Sequence, residues 1–244
     1  MVYPPLCIET LESRQLLSIS LVHHVLAVQS PLRAPSTIEV GLNPGGASVY
    51  ADISYNTRKG PYTQTRTFPL SDAIRLLSIN GGNASDSITI DQTNGSFPIA
   101  TRINTHNGND TVTGGDEPDT IRCGNGIDDI NSGNGNDVVY AGRGPDTLVG
   151  GNGDDTLHAG RGGDMLVTGS GNSVLIDPYG HNTLLGGSGN DTYVLKNIRL
   201  DPDNTYDPAK DTLRKYNPPA KQSSNFFDNP NLDGFLGSLL GSYL

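Results

Sequence analysis

Large apolar residues recur every nine positions between Thr105 and Val194: Val112, Ile121, Ile130, Val139, Leu148, Leu157, Leu166, Leu175, Leu184 and Tyr193. Most have at least one polar neighbour, the period-two pattern of a short strand with one side chain buried and the flanking ones outside. Six-residue stretches rich in Gly, Asn and Asp separate these strands. The clearest units read Gly150-Gly151-Asn152-Gly153-Asp154-Asp155-Thr156-Leu157-His158 and Gly186-Gly187-Ser188-Gly189-Asn190-Asp191-Thr192-Tyr193-Val194. With U for the large apolar residue the pattern is Gly-Gly-x-Gly-x-Asp-x-U-x, and ten units follow one another without a gap. Nine residues bury nothing alone, so the units must stack. Two units form one coil of two turns and two strands, and stacked coils bury a continuous ladder of U residues. Five coils extend roughly 24 Å at about 4.8 Å per strand layer.

The turn half of each unit carries the chemistry. Its sixth position is Asp110, Asp119, Asp128, Asp137, Asp146, Asp155, Asp164, Ser173, Asn182 and Asp191 in turn. Glycine fills the fourth position except at Glu117, and the second except at His106 and Pro178. Glycine reaches positive φ without a Cβ clash, so a six-residue turn can close tightly and aim its carbonyls at one point. Asp adds a short, hard oxygen ligand to that turn. Flexible linker of the same composition would hold no register, and ten apolar eighth positions in ten units argue against it. A β-solenoid without metal remains an alternative, although it gives no reason for Asp over Asn or Ser.

Charge follows the repeats. From 105 to 194 there are 13 acidic and 3 basic residues, a net of −10. The rest of the chain has 13 of each, so the whole chain's −10 lies in the repeats. Stacked acidic turns need cations between them. Carboxylate and carbonyl oxygens with little Cys or His nearby select a hard cation such as calcium. The acidity excludes nucleic acid as a partner, since that would require a basic face. Cys7 and Cys123 are too few for a disulfide framework. Cys123 holds a first turn position where Gly, Ala, Ser and Thr occur in other units, and reads as a space-filling residue.

The nonapeptide resembles the RTX, hemolysin-type calcium-binding repeat. That resemblance implies an all-β fold, a right-handed parallel β-roll (solenoid), with Ca2+ held between turns of successive coils. Carried onto this sequence, one side stacks Asp110, Asp128, Asp146 and Asp164 and the other Asp119, Asp137 and Asp155. Each adjacent pair would share one ion, five pairs in all. Carbonyls from the glycine positions Gly108, Gly126, Gly135, Gly144, Gly153 and Gly162 would complete the oxygen shell. Asp191 heads a well-formed turn but follows Ser173, which breaks the second ladder; Asn182 ends the first. Glu117-Pro118 departs from the pattern ahead of Asp119.

The flanks are less regular. Leu11-Glu12-Ser13-Arg14-Gln15-Leu16-Leu17 resembles a leader segment of some bacterial extracellular proteins. With the apolar run Leu21 to Val28 it reads as an export signal, with an ordinary strand or helix as the alternative. That run is too short to span a membrane. Residues 1–35 are thus an export leader or a disordered N-terminus. Residues 36–104 form an N-terminal β cap: Ser48 to Tyr55 alternates, Asn43-Pro44-Gly45-Gly46 and Lys59-Gly60-Pro61 are turns, and Gly81 to Thr89 is a degenerate repeat. Asp86 lies 24 residues before Asp110, so an insertion around Gln92 to Ser96 must interrupt the stack. Residues 105–194 are the roll. Residues 195–244 form an irregular polar tail with an apolar C-terminal end, Phe235 to Leu244, read as a helix closing the roll or as a secretion signal.

No His-Glu-x-x-His or Gly-x-Ser-x-Gly motif is present, and His158 and His181 occupy positions expected at the surface. The sequence therefore predicts a non-catalytic, secreted, calcium-binding protein that folds on calcium after export, with a structural or adhesive role at the cell surface or on an extracellular polymer. The alternative is an extracellular enzyme or toxin-related protein carrying such a roll.

Overall fold

The computed structural model describes residues 18–31, 33–179, 181–196 and 208–215. The strands in chain order begin with β1 (Ser18–Val22), β2 (Val25–Gln29), β3 (Ser36–Leu42), β4 (Ser48–Thr57) and β5 (Gly60–Pro69). A 3-10 turn at Leu70–Asp72 leads to β6 (Leu76–Asn80), β7 (Ser87–Asp91) and β8 (Thr101–Asn107). The repeats supply β9 (Thr111–Thr113), β10 (Thr120–Asn125), β11 (Asp129–Asn131), β12 (Val138–Arg143), β13 (Thr147–Val149) and β14 (Thr156–His158). They end with β15 (Met165–Val167), β16 (Val174–Asp177), β17 (Thr183–Leu185) and β18 (Thr192–Leu195), followed by β19 (Thr212–Lys215).

These strands form two sheets that share one core. Sheet 1 runs β1-β2-β6-β8-β10-β12-β14-β16-β18-β19, and sheet 2 runs β17-β15-β13-β11-β9-β7-β3-β4-β5. Successive strands of the chain alternate between the sheets through the repeats, so each coil contributes one strand to each. The eighteen-residue period sets the register: Ile121 pairs with Val139, Val139 with Leu157 and Leu157 with Leu175, all in parallel. Every U residue is therefore stacked on the one a coil away, and all ten are at most 1 % exposed. This is the parallel β-roll that the repeat predicts. Tyr193 is the one aromatic in the ladder, and its hydroxyl accepts the Gly186 backbone N–H at 3.0 Å, which satisfies the polar end of a fully buried side chain. Leu148→Ala, in the middle of sheet 2, is expected to lower stability by about 2–5 kcal/mol, because neighbouring coils fix the walls of the resulting cavity. Denaturant unfolding would measure it.

The stack begins earlier than the repeat pattern. β6 pairs in parallel with β8, and β3 with β7, so both sheets extend back through residues read as a cap. β2 pairs in parallel with β6 and antiparallel with β1. The apolar run Leu21 to Val28 is thus a strand pair with Ile19, Leu26 and Val28 buried. Residues 11–17 of the leader-like segment lie outside the described residues. The antiparallel hairpin β4–β5 ends sheet 2. It interrupts the parallel stacking, as an exposed solenoid end requires.

The 24-residue step from Asp86 to Asp110 is one enlarged coil. Ser87 pairs with Thr111 and Leu77 with Thr101, while β8 and β10 return to the eighteen-residue offset. The extra chain lies between β7 and β8, where Phe97 and Ile99 fold back into the core at 1 % and 5 % exposure. At the other end, part of the segment expected to be irregular is strand: β19 pairs in parallel with β18, placing Thr212 beside Thr192. The apolar end from Phe235 lies outside the described residues. Among the described residues, no helix is long and apolar enough to cross a membrane.

Candidate metal centre

The turns fall into two stacks. One joins sheet 1 to sheet 2 and contains Asp110, Asp128, Asp146 and Asp164. The other joins sheet 2 to sheet 1 and contains Asp119, Asp137, Asp155 and Asp191. Each side chain folds back under the preceding coil, where its Oδ1 accepts the backbone N–H of the sixth-position residue one coil earlier. Asp110 N–H donates to Asp128 at 2.9 Å, Asp128 N–H to Asp146 at 2.9 Å and Asp146 N–H to Asp164 at 3.0 Å. On the second side Asp119 N–H donates to Asp137 at 2.8 Å and Asp137 N–H to Asp155 at 3.1 Å. The substitutions in the pattern keep the ladder intact. Asn182 accepts the Asp164 N–H at 2.7 Å, and the Ser173 hydroxyl accepts that of Asp155 at 3.2 Å. Ser173 in turn donates its own N–H to Asp191 at 2.9 Å.

That ladder uses one carboxylate oxygen. The second, Oδ2, is buried and has no hydrogen-bond partner in Asp110, Asp128, Asp137, Asp146, Asp155 and Asp164. Six such atoms in one small core are costly, since each loses water without a replacement worth about 1–3 kcal/mol. Burial is also the main reason these carboxyls hold their protons more tightly than free Asp. It raises Asp128, Asp155 and Asp164 to about 6, Asp137 to about 7 and Asp146 to about 8. Backbone donors oppose the rise, and the like charges of Asp128 and Asp164 add to it at Asp146.

Asp119 differs. Its Oδ1 accepts both the N–H and the hydroxyl of Thr101, and its Oδ2 accepts the Gly115 N–H of its own turn at 3.0 Å. Asp86, in the degenerate repeat, is closed the same way: Oδ1 accepts from Ser36 and Oδ2 accepts the Gly82 N–H at 2.6 Å. The first carboxylate of each ladder is thus satisfied by protein alone. Thr101 and Ser36 begin the ladders and Asp211 extends one, accepting the Asp191 N–H at 3.0 Å. None of the three was anticipated. Thr101 was legible, because it stands nine residues before Asp110 with Ile103 at the following U position. Ser36 lies 50 residues before Asp86 and carried no signal.

The glycines allow the coils to approach. Gly108, Gly126, Gly135, Gly144 and Gly153 all have positive φ, while Gly162 does not. A Cβ on Gly144 would overlap the carbonyl oxygen of Gly126, and one on Gly126 would overlap that of Gly108. The fourth-position carbonyls therefore lie directly against the next coil. Gly144→Ala is expected to destabilise the fold by about 2–4 kcal/mol, combining that overlap with a φ of 126°. Gly163→Ala, where nothing lies within 4 Å of the added carbon, should change stability by less than about 0.5 kcal/mol. Paired thermal melts would compare them.

His158 and His181 stand apart from these ladders. His181 is exposed. His158, expected at the surface, is half-buried on the outer face of sheet 1, where its ring stacks on Tyr140 with centroids 4.4 Å apart. The Arg122 guanidinium lies 4.8 Å from the centre of the same Tyr140 ring. Burial, helped by the Arg122 charge, lowers His158 to about 4.

Among the described residues, no three His, Cys, Asp or Glu side chains converge on one point. A metal between these turns must draw on one or two carboxylates and on backbone carbonyls. That donor set is all oxygen, as hard divalent ions require and as zinc sites do not provide.

A stack of parallel coils with unsatisfied carboxylates at six of its turns defines a β-roll of the calcium-binding repeat class. The comparisons place it more closely. The family model for the RTX calcium-binding nonapeptide repeat matches residues 104–139, 140–175 and 168–194. Residues 104–194 of this chain are RTX calcium-binding nonapeptide repeats, and such repeats bind Ca2+. No curated protein and no solved structure matches the chain.

Proposed function

We propose that this protein is a secreted, non-catalytic β-roll whose turns bind calcium in the extracellular space and whose calcium-set fold serves a structural or adhesive role. The observation that carries this reading is the set of six buried carboxylate oxygens without partners. They pair along the ladders as Asp110 with Asp128, Asp128 with Asp146, Asp146 with Asp164, and Asp137 with Asp155. Each pair is one candidate site, completed by carbonyls of the adjacent glycines. Asp119 was paired with Asp137 on sequence grounds, but its second oxygen is held by Gly115. Four complete pairs remain where the resemblance implied five.

The bound ion would neutralise charge and satisfy oxygens that the protein leaves open. The residues' own part is to hold the carboxylates in register, exclude water and fix the spacing between coils. The compartment follows from affinity. Open, turn-based sites that fill at roughly 10⁻⁴ to 10⁻³ M suit extracellular calcium, and the −10 charge concentrated in the repeats opposes stacking wherever calcium is scarce. Isothermal titration of the full chain with calcium should give close to four ions per chain. No uptake at about 10 mM calcium would overturn the reading.

A further inference from the structure

Beside the first turns of the stack, where sheet 2 meets the β4–β5 hairpin, the surface opens into a cleft of about 430 Å³. Its floor carries hydroxyls from four adjacent strands. Ser54, Thr37, Ser87 and Thr111 are register partners, which spaces them by about 4.8 Å per strand. Asn56 adds an amide at one edge, and Tyr55 forms an aromatic wall flanked by two prolines. The Tyr62 ring supports that wall, its centroid 5.2 Å from that of Tyr55.

The charges around the cleft decide what it can hold. Among the described residues no Lys, Arg or His lines it, so an anionic ligand finds no cation there. The one carboxylate among the described lining residues, Asp86, is buried with both oxygens engaged by Ser36 and Gly82, so it offers a cationic ligand no open oxygen. What remains is neutral groups that both donate and accept, set against an aromatic and proline edge. The volume fits a small molecule or a short segment of polymer rather than a folded partner. A polyhydroxylated, uncharged ring compound matches each feature: its hydroxyls pair with hydroxyls and amide, and its C–H face packs on Tyr55.

We infer that this cleft binds a neutral saccharide, either free or as a segment of an extracellular polysaccharide. The inference rests on the adhesive reading above and names its ligand class. Asp86 at the cleft is satisfied without metal, whereas Asn109 and Thr111 at its other edge flank Asp110, whose second oxygen has no partner, so binding is measured both with calcium and in EDTA.

The test uses the full chain with calcium and again in EDTA, titrated with malto-, cello-, laminari-, xylo- and mannohexaose by calorimetry. A uronic acid hexamer and a glucosamine hexamer serve as charged controls. At least one neutral hexamer should bind, with the charged controls at least about tenfold weaker. Asn56→Ala should weaken binding about fivefold through one lost hydrogen bond. Ser87→Lys, which lays a charged chain across the floor, should abolish it without shifting the melting temperature. Failure of every neutral probe at about 10 mM, with and without calcium, overturns the inference, as does binding that survives Ser87→Lys. Binding of the charged controls alone, or of an uncharged proline-rich peptide in place of the sugars, also overturns it. Melting curves on the same samples report separately on calcium-dependent folding.

Discussion

Asp146→Asn should stabilise the protein in EDTA and destabilise it in calcium. Asp146 stands in the middle of its ladder, between Asp128 and Asp164, and its carboxyl is raised further than those of its neighbours, to about 8. Near neutral pH and without metal, its ionisation opposes the fold. The cause is first burial and then the like charges on either side. Asparagine keeps the carbonyl oxygen that accepts the Asp128 N–H and removes the charge, much as Asn182 already does at the end of the same ladder. In EDTA the melting temperature should rise by at least about 3 °C. In calcium the effect reverses, because Asp146 belongs to two of the four candidate pairs. Calorimetric stoichiometry should fall from about four ions to about two, and the calcium-dependent gain in melting temperature should shrink accordingly. Asp119→Asn is the contrast: its oxygens are engaged by Thr101 and Gly115, so it should leave the stoichiometry unchanged. A purely structural Asp ladder would lose stability in both media, and that result would contradict the metal reading.

Acid should partly replace calcium. The raised carboxyls bind protons more tightly folded than unfolded, where Asp titrates near 4. Their contribution to stability is therefore fully present below about pH 4 and is lost as pH rises through the folded values: about 6 for Asp128, Asp155 and Asp164, about 7 for Asp137 and about 8 for Asp146. In EDTA the melting temperature should fall between about pH 4 and 8, most steeply below about 6, where all five carboxyls keep protons that the unfolded chain has lost, and more gently above it. Calcium requires the deprotonated carboxylates, so the calcium-induced gain should grow across the same interval, and calcium uptake near pH 7 should release protons. Melts at several pH values with EDTA and with calcium would show the two curves diverging as pH rises. Parallel curves would mean that the buried carboxylates do not take up the metal.

The roll itself was legible because its determinants are local and periodic. A U residue every nine positions fixes which side chain is buried, and the eighteen-residue coil fixes parallel register from Ile121 to Val139 without any knowledge of the rest of the fold. The enlarged coil was legible too, since 24 is not a multiple of nine. Its place in the ladder was not, because only the three-dimensional path shows the chain between β7 and β8 folding back so that Asp86 still donates its N–H to Asp110. The ends of the stack were harder still. β2 joins β6 at an offset of 51 residues, from Val25 to Leu76, a pairing that no local pattern encodes. Within the site, spacing treated Asp119 and Asp137 as equivalent. What separates them is a single backbone donor, the Gly115 N–H, which points at Asp119 Oδ2 while the equivalent oxygen of Asp137 has no partner.

The carboxylate ladders should need calcium in order to stack. The most direct test follows far-UV circular dichroism and thermal melting of the full chain near pH 8, first in excess EDTA and then with calcium raised to a few millimolar, with magnesium as the control. A weak β signal is expected in EDTA, a strong signal and a higher, sharper melt in calcium, and little response to magnesium. A chain already fully β-structured in EDTA, with a melt indifferent to calcium, would contradict it and leave the repeats a metal-free solenoid.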